Sequence, residues 1–209
     1  MTEVGISAGQ SLQAWYRYFP AAEIHAFDVR WYGEDLEVSV KDNIGHLKPR
    51  VKPHIVNILT EVDNMAELGF LPESMDIIIE DGPHSLESQQ GFLVKLFPLV
   101  KPGGYYIIED VGWAQKGVGA FHEDPSKLSS QTRDILESHE TIWVDTSAGH
   151  RGWDQWQKAT GRMWVQDRVR HNSYCLVIQK REKALPPFQM HYKNGAMSPA
   201  SIVRETGDF

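Results

Sequence analysis

A short and almost continuous apolar run, residues 75–80, is the feature that most constrains the fold of this chain. It is followed by residues 86–100, an amphipathic stretch with Leu93, Leu96 and Phe97 on its inner side. A strand that is apolar along its length is typical of the centre of a parallel sheet, where both faces are covered. The helix that follows supplies one of those covers, so we expect an α/β fold.

The alternation of short apolar runs and longer amphipathic stretches continues along the chain and predicts most of its elements. Residues 101–104, Lys-Pro-Gly-Gly, break the helix before the chain returns as a strand. Residues 163–181 are predicted to form an antiparallel pair that turns near His171 and Asn172, and 141–144 a short strand or a packed loop. The expected strands are 3–5, 23–28, 54–59, 75–80, 105–108 and 174–179, and the expected helices 11–19, 86–100 and 126–138.

The length of 209 residues fits one globular domain with a short extension. We expect the domain to cover residues 1–183. Residues 184–209 are rich in proline and glycine and are expected to form a C-terminal arm or tail. At the other end only two residues precede Glu3, which implies either a very short first strand or a chain that is shortened at its start.

The overall charge and composition exclude some classes of protein. A net charge of -7 argues against a general nucleic-acid binder, which needs a surface rich in Lys and Arg. No apolar run is long enough to cross a membrane and no signal peptide opens the sequence, so we expect a cytoplasmic protein without a membrane partner. Homo-oligomer formation stays open. The single cysteine, Cys175, lies in an apolar run and is expected to be a buried, unreactive thiol.

The first candidate site combines a strand end, a glycine turn and a helix start in residues 3–9, Glu-Val-Gly-Ile-Ser-Ala-Gly. Asp28 ends the next strand, where nucleotide-binding folds hold a ribose. No Lys or Arg lies between Gly5 and Ser11, so the ligand is expected to carry a ribose and no phosphate, as S-adenosylmethionine does. Each feature alone has a plain structural explanation, because tight turns need glycine and strand-end aspartates are often only solvated. The predicted cofactor-binding residues are Glu3, Gly5, Gly9, Ser11, Asp28, Glu61 and Asp81.

The second candidate site lies at the ends of two strands that should be neighbours. Asp81 and His84 follow one strand, and Glu109 and Asp110 follow the next. Ligands of open α/β sheets bind outside the carboxyl ends of the strands, and acids on adjacent strands lie close enough to share a cation. Oxygen ligands without cysteine favour Mg²⁺, with Mn²⁺ or Ca²⁺ as alternatives. His84 is placed to take a proton from a substrate hydroxyl, although each residue could instead cap a helix or bond a loop.

Together these motifs resemble a known group of enzymes. The Glu-x-Gly-x-x-x-Gly turn, Asp28, the Asp-Gly-Pro-His-Ser segment and the Pro-Gly-Gly…Ile-Glu-Asp segment are similar to class I S-adenosylmethionine-dependent methyltransferases. Within that class the chain resembles the metal-dependent sugar O-methyltransferases of macrolide antibiotic biosynthesis and the related cephamycin-pathway protein. The similarity covers roughly residues 3–180 and is most specific at 81–84 together with 109–110.

The resemblance implies a Rossmann-like, doubly wound, mostly parallel sheet of seven strands with an antiparallel C-terminal hairpin and a short first strand. It also implies an O-methyltransferase of natural product biosynthesis that uses S-adenosylmethionine and Mg²⁺ to methylate a hydroxylated small molecule. In this comparison Asp81, Glu109 and Asp110 match the magnesium ligands, and His84 matches the catalytic base. Gly5, Gly9 and Asp28 match cofactor-binding positions.

Three alternatives stay open at the level of sequence. One keeps the cofactor but methylates a nitrogen or an acidic hydroxyl without a metal. Another is a non-catalytic binding or assembly protein with a methyltransferase fold. A third is a nucleotide-sugar or dinucleotide enzyme, which the missing phosphate-binding cation disfavours.

Overall fold

The computed structural model of the chain describes residues 1–30, 44–111, 125–145 and 174–182. Short 3-10 turns at Met65–Leu68, Phe97–Leu99 and Pro125–Lys127 link some of its elements. The strands are β1 (Thr2–Val4), β2 (Ile24–Asp28), β3 (Val51–Ile55), β4 (Met75–Glu80), β5 (Val100–Val111), β6 (Glu140–Asp145) and β7 (Tyr174–Gln179). The helices used below are α1 (Gln10–Tyr18), α2 (Leu86–Leu96) and α3 (Ser130–Ser138).

The described strands form one seven-stranded sheet in the order β3-β2-β1-β4-β5-β7-β6. The first five strands of this order run parallel, whereas β7 is antiparallel to both β5 and β6. The Rossmann-like α/β fold is therefore confirmed, including the short first strand and antiparallel strands at the C-terminal side. Strand β7 pairs with β6, the segment expected as a short strand or a packed loop, while the first arm of the predicted hairpin, residues 163–170, lies outside the described residues.

Several predicted boundaries were wrong. Strand β3 begins at Val51 and ends at Ile55, earlier than expected, and Pro53 lies within it. Strand β3 lies at the edge of the sheet and has a partner strand on one side only. The missing N–H group of a proline is therefore tolerated there, as it is in edge strands generally. Strand β5 begins at Val100, before the expected break, because the Lys-Pro-Gly-Gly segment remains in the strand while its register against β4 shifts. Helix α2 ends at Leu96 and continues as a 3-10 turn.

The two faces of the sheet are covered by different helices. Leu12 of α1 packs with Ile24, Ala26 and Ile79 on one face. On the other face, α2 and α3 cover a larger cluster with Ile78, Phe92, Leu93, Tyr106, Ile108 and Leu136. Because β1 to β5 are parallel, their carboxyl ends meet at one edge of the sheet, and the predicted site residues lie at those ends or within seven residues after them in sequence.

Within the described part of the chain, no helix is both long and apolar enough to cross a membrane. The expected tail, residues 184–209, lies outside the described residues, so the division of the chain at 183 stays a prediction. The same is true of the expected cytoplasmic location and of homo-oligomer formation.

Candidate active site

The turn after β1 passes through several left-handed backbone conformations. Gly5 has φ +100°, Ser7 φ +45° and Gly9 φ +76°. The Gly5 amide donates a hydrogen bond to the Phe27 carbonyl oxygen (2.8 Å), which fixes the turn to β2. Gly9 then caps α1 without a side-chain hydrogen bond. The first amides of this helix therefore lack a side-chain cap, a feature that suits the binding of an electron-rich ligand group.

Glu3 lies beneath this turn and is almost fully buried, with 1% of its surface exposed. The Trp15 indole nitrogen donates to its Oε1 (3.3 Å), whereas its Oε2 is a buried atom without a hydrogen-bond partner among the described residues. Burial raises the pKa of Glu3 to about 7, against the side chains of Ser11 and Trp15, which lower it. A buried acceptor without a partner is costly unless a ligand or water completes it, so Glu3 and Ser11 fit the wall of a polar ligand pocket.

Asp28 ends β2 and binds the turn after β1. Its Oδ2 accepts hydrogen bonds from the Ile6 amide (2.9 Å) and the Ser7 amide (3.3 Å), and its Oδ1 accepts one from Val29 (2.8 Å). A carboxylate has about four acceptor positions, so these bonds leave capacity for a ribose hydroxyl. The structure therefore brings Asp28 next to the glycine turn, as the sequence predicted for a cofactor site.

The second cluster joins the ends of β4 and β5. Ligand atoms of Asp81, His84 and Asp110 all lie within 4.8 Å of one another. The His84 Nε2 atom is 3.7 Å from Asp81 Oδ1 and 3.9 Å from Asp110 Oδ2. His84 and Asp110 both have positive φ values, +57° and +50°, which L residues adopt only at a cost. Strained residues collected at one point are typical of functional sites.

The charges around Asp81 explain why this cluster suits a cation. Burial, together with the charges of neighbouring carboxylates, raises the pKa of Asp81 to about 8; these carboxylates are Glu109, Asp110, Glu3 and Glu80. Burial and the Asp110 charge also raise the pKa of Glu109. A divalent cation would relieve this repulsion, and carboxylate oxygens are the ligands that Mg²⁺ prefers. The donor set thus fits the magnesium site predicted from the sequence, although Glu109 is outside the tight three-residue group.

His84 is held in a form that can accept a proton. Burial lowers its pKa, although the Asp110 charge opposes the shift, so the imidazole is neutral near pH 7. Ser85 immediately follows and caps α2, its hydroxyl accepting a hydrogen bond from the Ser88 amide (3.1 Å). The helix start therefore fixes the position of the histidine next to it.

Two buried polar residues beneath the cluster were not singled out in the sequence. Glu80, fully buried at the end of β4, accepts a hydrogen bond from the Gly82 amide on Oε1 (3.1 Å), and burial raises its pKa to about 7. Gln89 of α2 is 2% exposed and donates from Nε2 to the Glu109 carbonyl oxygen (3.1 Å). The sequence did contain a signal that could have identified them, because each is a polar residue at a position where the strand or helix pattern predicts an apolar one.

A groove of about 940 Å³ opens beside His84. It runs along α2 as far as Lys95, and residues 127–129 together with Gln131 form part of its lining. Leu86, Val94 and Leu128 give it apolar patches between polar side chains. Its size is that of a site for a small organic molecule.

Two other predicted residues have different surroundings. Glu61 is exposed in the turn after β3, where its carboxylate accepts a hydrogen bond from the Asn57 amide (3.4 Å), and its role at an adenine stays a prediction. Cys175 is only partly buried, but burial and the charges of Glu109, Asp110 and Asp81 raise its pKa to about 11. The expectation of a fully buried thiol was therefore wrong, but the raised pKa keeps the thiol protonated at neutral pH, and it borders the acidic cluster.

The fold is that of S-adenosylmethionine-dependent methyltransferases. Phosphoethanolamine N-methyltransferase 2 of Haemonchus contortus, solved in complex with S-adenosyl-L-methionine, superposes with a TM-score of 0.58 at 10% identity, over 87% of this chain and 48% of that one. No protein-family model matches the chain.

Relatives in sequence are sugar O-methyltransferases, which confirms the resemblance to that group. The chain is 30% identical over 131 residues to mycinamicin VI 2''-O-methyltransferase of Micromonospora griseorubida, covering 62% of this chain and 30% of the relative. It is 29% identical over 105 residues to 8-demethyl-8-alpha-L-rhamnosyl tetracenomycin-C 2'-O-methyltransferase of Streptomyces olivaceus, and this match covers 50% of this chain and 25% of the relative. The matched region thus spans less than a third of either relative's length.

Proposed function

We propose that this chain carries the catalytic site of an S-adenosylmethionine-dependent O-methyltransferase that methylates a hydroxyl of a small molecule, in the class of sugars and other vicinal diols. The observation that carries the proposal is the cluster of Asp81, His84 and Asp110 at the same sheet edge as the glycine turn after β1. The names of the two relatives, which specify 2''- and 2'-O-methylation, support a sugar hydroxyl as the acceptor.

The glycine turn and its neighbours would bind the methyl donor. Glu3 and Ser11 offer polar atoms beneath the turn, and Asp28 offers acceptor positions for ribose hydroxyls. The donor supplies an electrophilic methyl group, and the protein contributes its position relative to the acceptor.

Asp81, Glu109 and Asp110 would hold a divalent cation, with Mg²⁺ favoured by the oxygen ligands. A bound cation lowers the pKa of a coordinated hydroxyl and orients it. His84, neutral at pH 7, would accept the hydroxyl proton on Nε2 as the oxygen forms its bond to the methyl carbon and the carbon–sulfur bond breaks. The groove along α2 offers space for the rest of the acceptor.

The test is transfer of the methyl group from S-adenosylmethionine to a panel of glycosides and vicinal diols, followed by mass spectrometry, with Mg²⁺ or with EDTA. We expect turnover that requires the metal and that His84→Ala reduces by about 100-fold or more, the contribution of a general base. The exposed His46 supplies a matched control, since His46→Ala should leave turnover unchanged.

Each part of the proposal has its own contrary outcome. Full turnover after metal removal would exclude the metal role, and an active His84→Ala would exclude the base. Methylation of amines alone would favour an N-methyltransferase. If calorimetry detects no binding of S-adenosylmethionine, the chain is a non-catalytic protein with this fold.

A further inference from the structure

Gln89 is the buried polar residue of α2 in the described structure. Its neighbours on the inner side of the helix, Phe92, Leu93 and Leu96, are apolar and pack against the sheet. An amide at such a position is costly unless it is hydrogen-bonded. The Nε2 atom of Gln89 meets this need by donating to the main-chain oxygen of Glu109, at 3.1 Å.

The pairing of β5 with its neighbouring strands is irregular at Glu109. Register pairing between β4 and β5 ends at Ile108, and pairing between β5 and β7 shifts between Ile108 and Val111. Glu109 and Asp110 therefore lie where both ladders are interrupted. The Gln89 amide supplies a hydrogen bond to the main chain at this point, immediately before the left-handed residue Asp110.

The other end of Gln89 leads to His84. Helix α2 begins at Leu86. The main-chain nitrogen of Gln89 donates to the Ser85 carbonyl oxygen (2.9 Å), and this hydrogen bond closes the first turn of the helix, directly after His84. One residue thus links the helix start next to His84 with the strand end that carries Asp110. The distance between these two side chains, 3.9 Å, depends on how that helix and that strand end are held relative to each other.

We propose that Gln89 is a positioning residue of the candidate cation site: its side chain holds the Glu109–Asp110 strand end at the distance from Asp81 at which their carboxylates can share one ion, with His84 beside them as the base. The inference rests on the proposed metal role of that site. Groups that orient the ligands of a metal contribute to its affinity even though they do not touch it.

The test is calorimetric titration of the whole chain with Mg²⁺, comparing Gln89→Met with Gln90→Met. Methionine preserves side-chain length and packing but cannot donate. Gln90, the next residue on the same helix, bonds the Ser129 amide (2.7 Å) and the Lys127 carbonyl oxygen, on the side away from the strand end. We expect Gln89→Met to weaken Mg²⁺ binding on the order of 10- to 100-fold. We expect Gln90→Met to change it by less than about twofold, since the bonds it removes are outside the site.

A purely structural role for Gln89 would lower the unfolding midpoint without a selective effect on Mg²⁺. Calorimetry with S-adenosylmethionine supplies a second readout, because the glycine turn is not bonded to Gln89; its affinity should stay within about twofold of wild type while Mg²⁺ affinity falls. If Gln89→Met does not fold, Gln89→Ala removes the same donor with a good helix former and answers the same question.

The outcomes separate the two proposals. Wild-type Mg²⁺ affinity in a folded Gln89 variant overturns this inference alone. An equal loss of both affinities in that variant also overturns it, because it shows general loosening of the domain. Failure of the wild-type chain to bind Mg²⁺ overturns the proposed metal role, and this inference with it.

Discussion

The backbone of Gly5 packs directly against the main-chain oxygen of Asp81: a Cβ atom on Gly5 would lie 2.1 Å from it. The turn that is expected to hold the methyl donor and the turn that carries Asp81, a proposed metal ligand, are thus in contact. The Asp81 amide donates to the Val4 carbonyl oxygen (2.8 Å), which closes the same contact from the other side. A shift in either turn must move the other.

Gly5→Ala is therefore expected to damage both halves of the site. The substitution places a methyl group against rigid backbone and also strains a residue with φ +100°. Gly69→Ala is the matched control, because Gly69 has φ +83° but nothing within 4 Å of its Cβ position. We expect the control to lower the free energy of unfolding by about 1–2 kcal/mol, the cost of left-handed backbone, and Gly5→Ala to cost about 1–3 kcal/mol more. Equal losses in urea unfolding would show that the contact is unimportant.

Asp81→Asn should remove a pH dependence of stability in the metal-free protein. The pKa of Asp81 is raised in the fold from 3.8 to about 8, so the protonated form stabilises the fold below pH 3.8. That contribution is lost as pH rises towards 8. In EDTA the variant should gain stability relative to wild type between pH 5 and about pH 8. Parallel urea-unfolding curves across this range would contradict the assigned burial of the Asp81 charge.

Mg²⁺ binding should respond to the same group in the opposite sense. The cation needs the ionised carboxylate, so its affinity should fall as pH decreases below about 8 and binding should release protons. Calorimetric titrations in two buffers of different ionisation enthalpy measure that release. An affinity independent of pH between 6 and 8 would speak against Asp81 as a ligand.

Cys175 should report cation binding, since it is the single cysteine of the chain. The charges of Glu109, Asp110 and Asp81 contribute to its raised pKa of about 11. A cation among these carboxylates would lower the pKa and increase the thiolate fraction, so alkylation by iodoacetamide at pH 8.5 should become faster with Mg²⁺. Asp110→Asn should weaken this response. An unchanged rate at saturating Mg²⁺ would contradict the placement of the ion beside Cys175.

Glu80 is expected to act through its hydrogen bond to Gly82. Glu80→Gln keeps a carbonyl oxygen for the Gly82 amide, whereas Glu80→Leu leaves that amide without its acceptor beneath the turn. Below pH 4.5, where the carboxyl group is protonated, we expect the leucine variant to lose about 1–3 kcal/mol of unfolding free energy and the glutamine variant to stay close to wild type. Because burial raises the pKa of Glu80 to about 7, the glutamine variant should then gain stability relative to wild type as pH rises towards 7. Chemical denaturation of both variants decides between this assignment and one in which the carboxyl group is dispensable.

Particular residues show how far the sequence could be followed. The apolar run ending at Glu80 and the amphipathic stretch from Leu86 predicted a central strand and its helix correctly, because both patterns reflect burial directly. The boundaries of β3 and β5 were wrong because proline and glycine suggested breaks. At a sheet edge or a shifted register these residues are tolerated, and neither condition is visible in a single segment.

For the site, the sequence by itself determined the chemical groups: carboxylates and a histidine after two strands, and glycines with an aspartate after two others. Only the tertiary structure decided which of them meet. Asp81, His84 and Asp110 come within 4.8 Å because β4 and β5 are neighbours and because left-handed residues turn their side chains together. The structure also showed that Glu80 and Gln89 hydrogen-bond the turn and strand end beneath that cluster, and that Gly5 is needed for contact with Asp81. Local patterns record burial and turn geometry, whereas contacts between distant segments depend on strand order and register, which only the folded chain specifies.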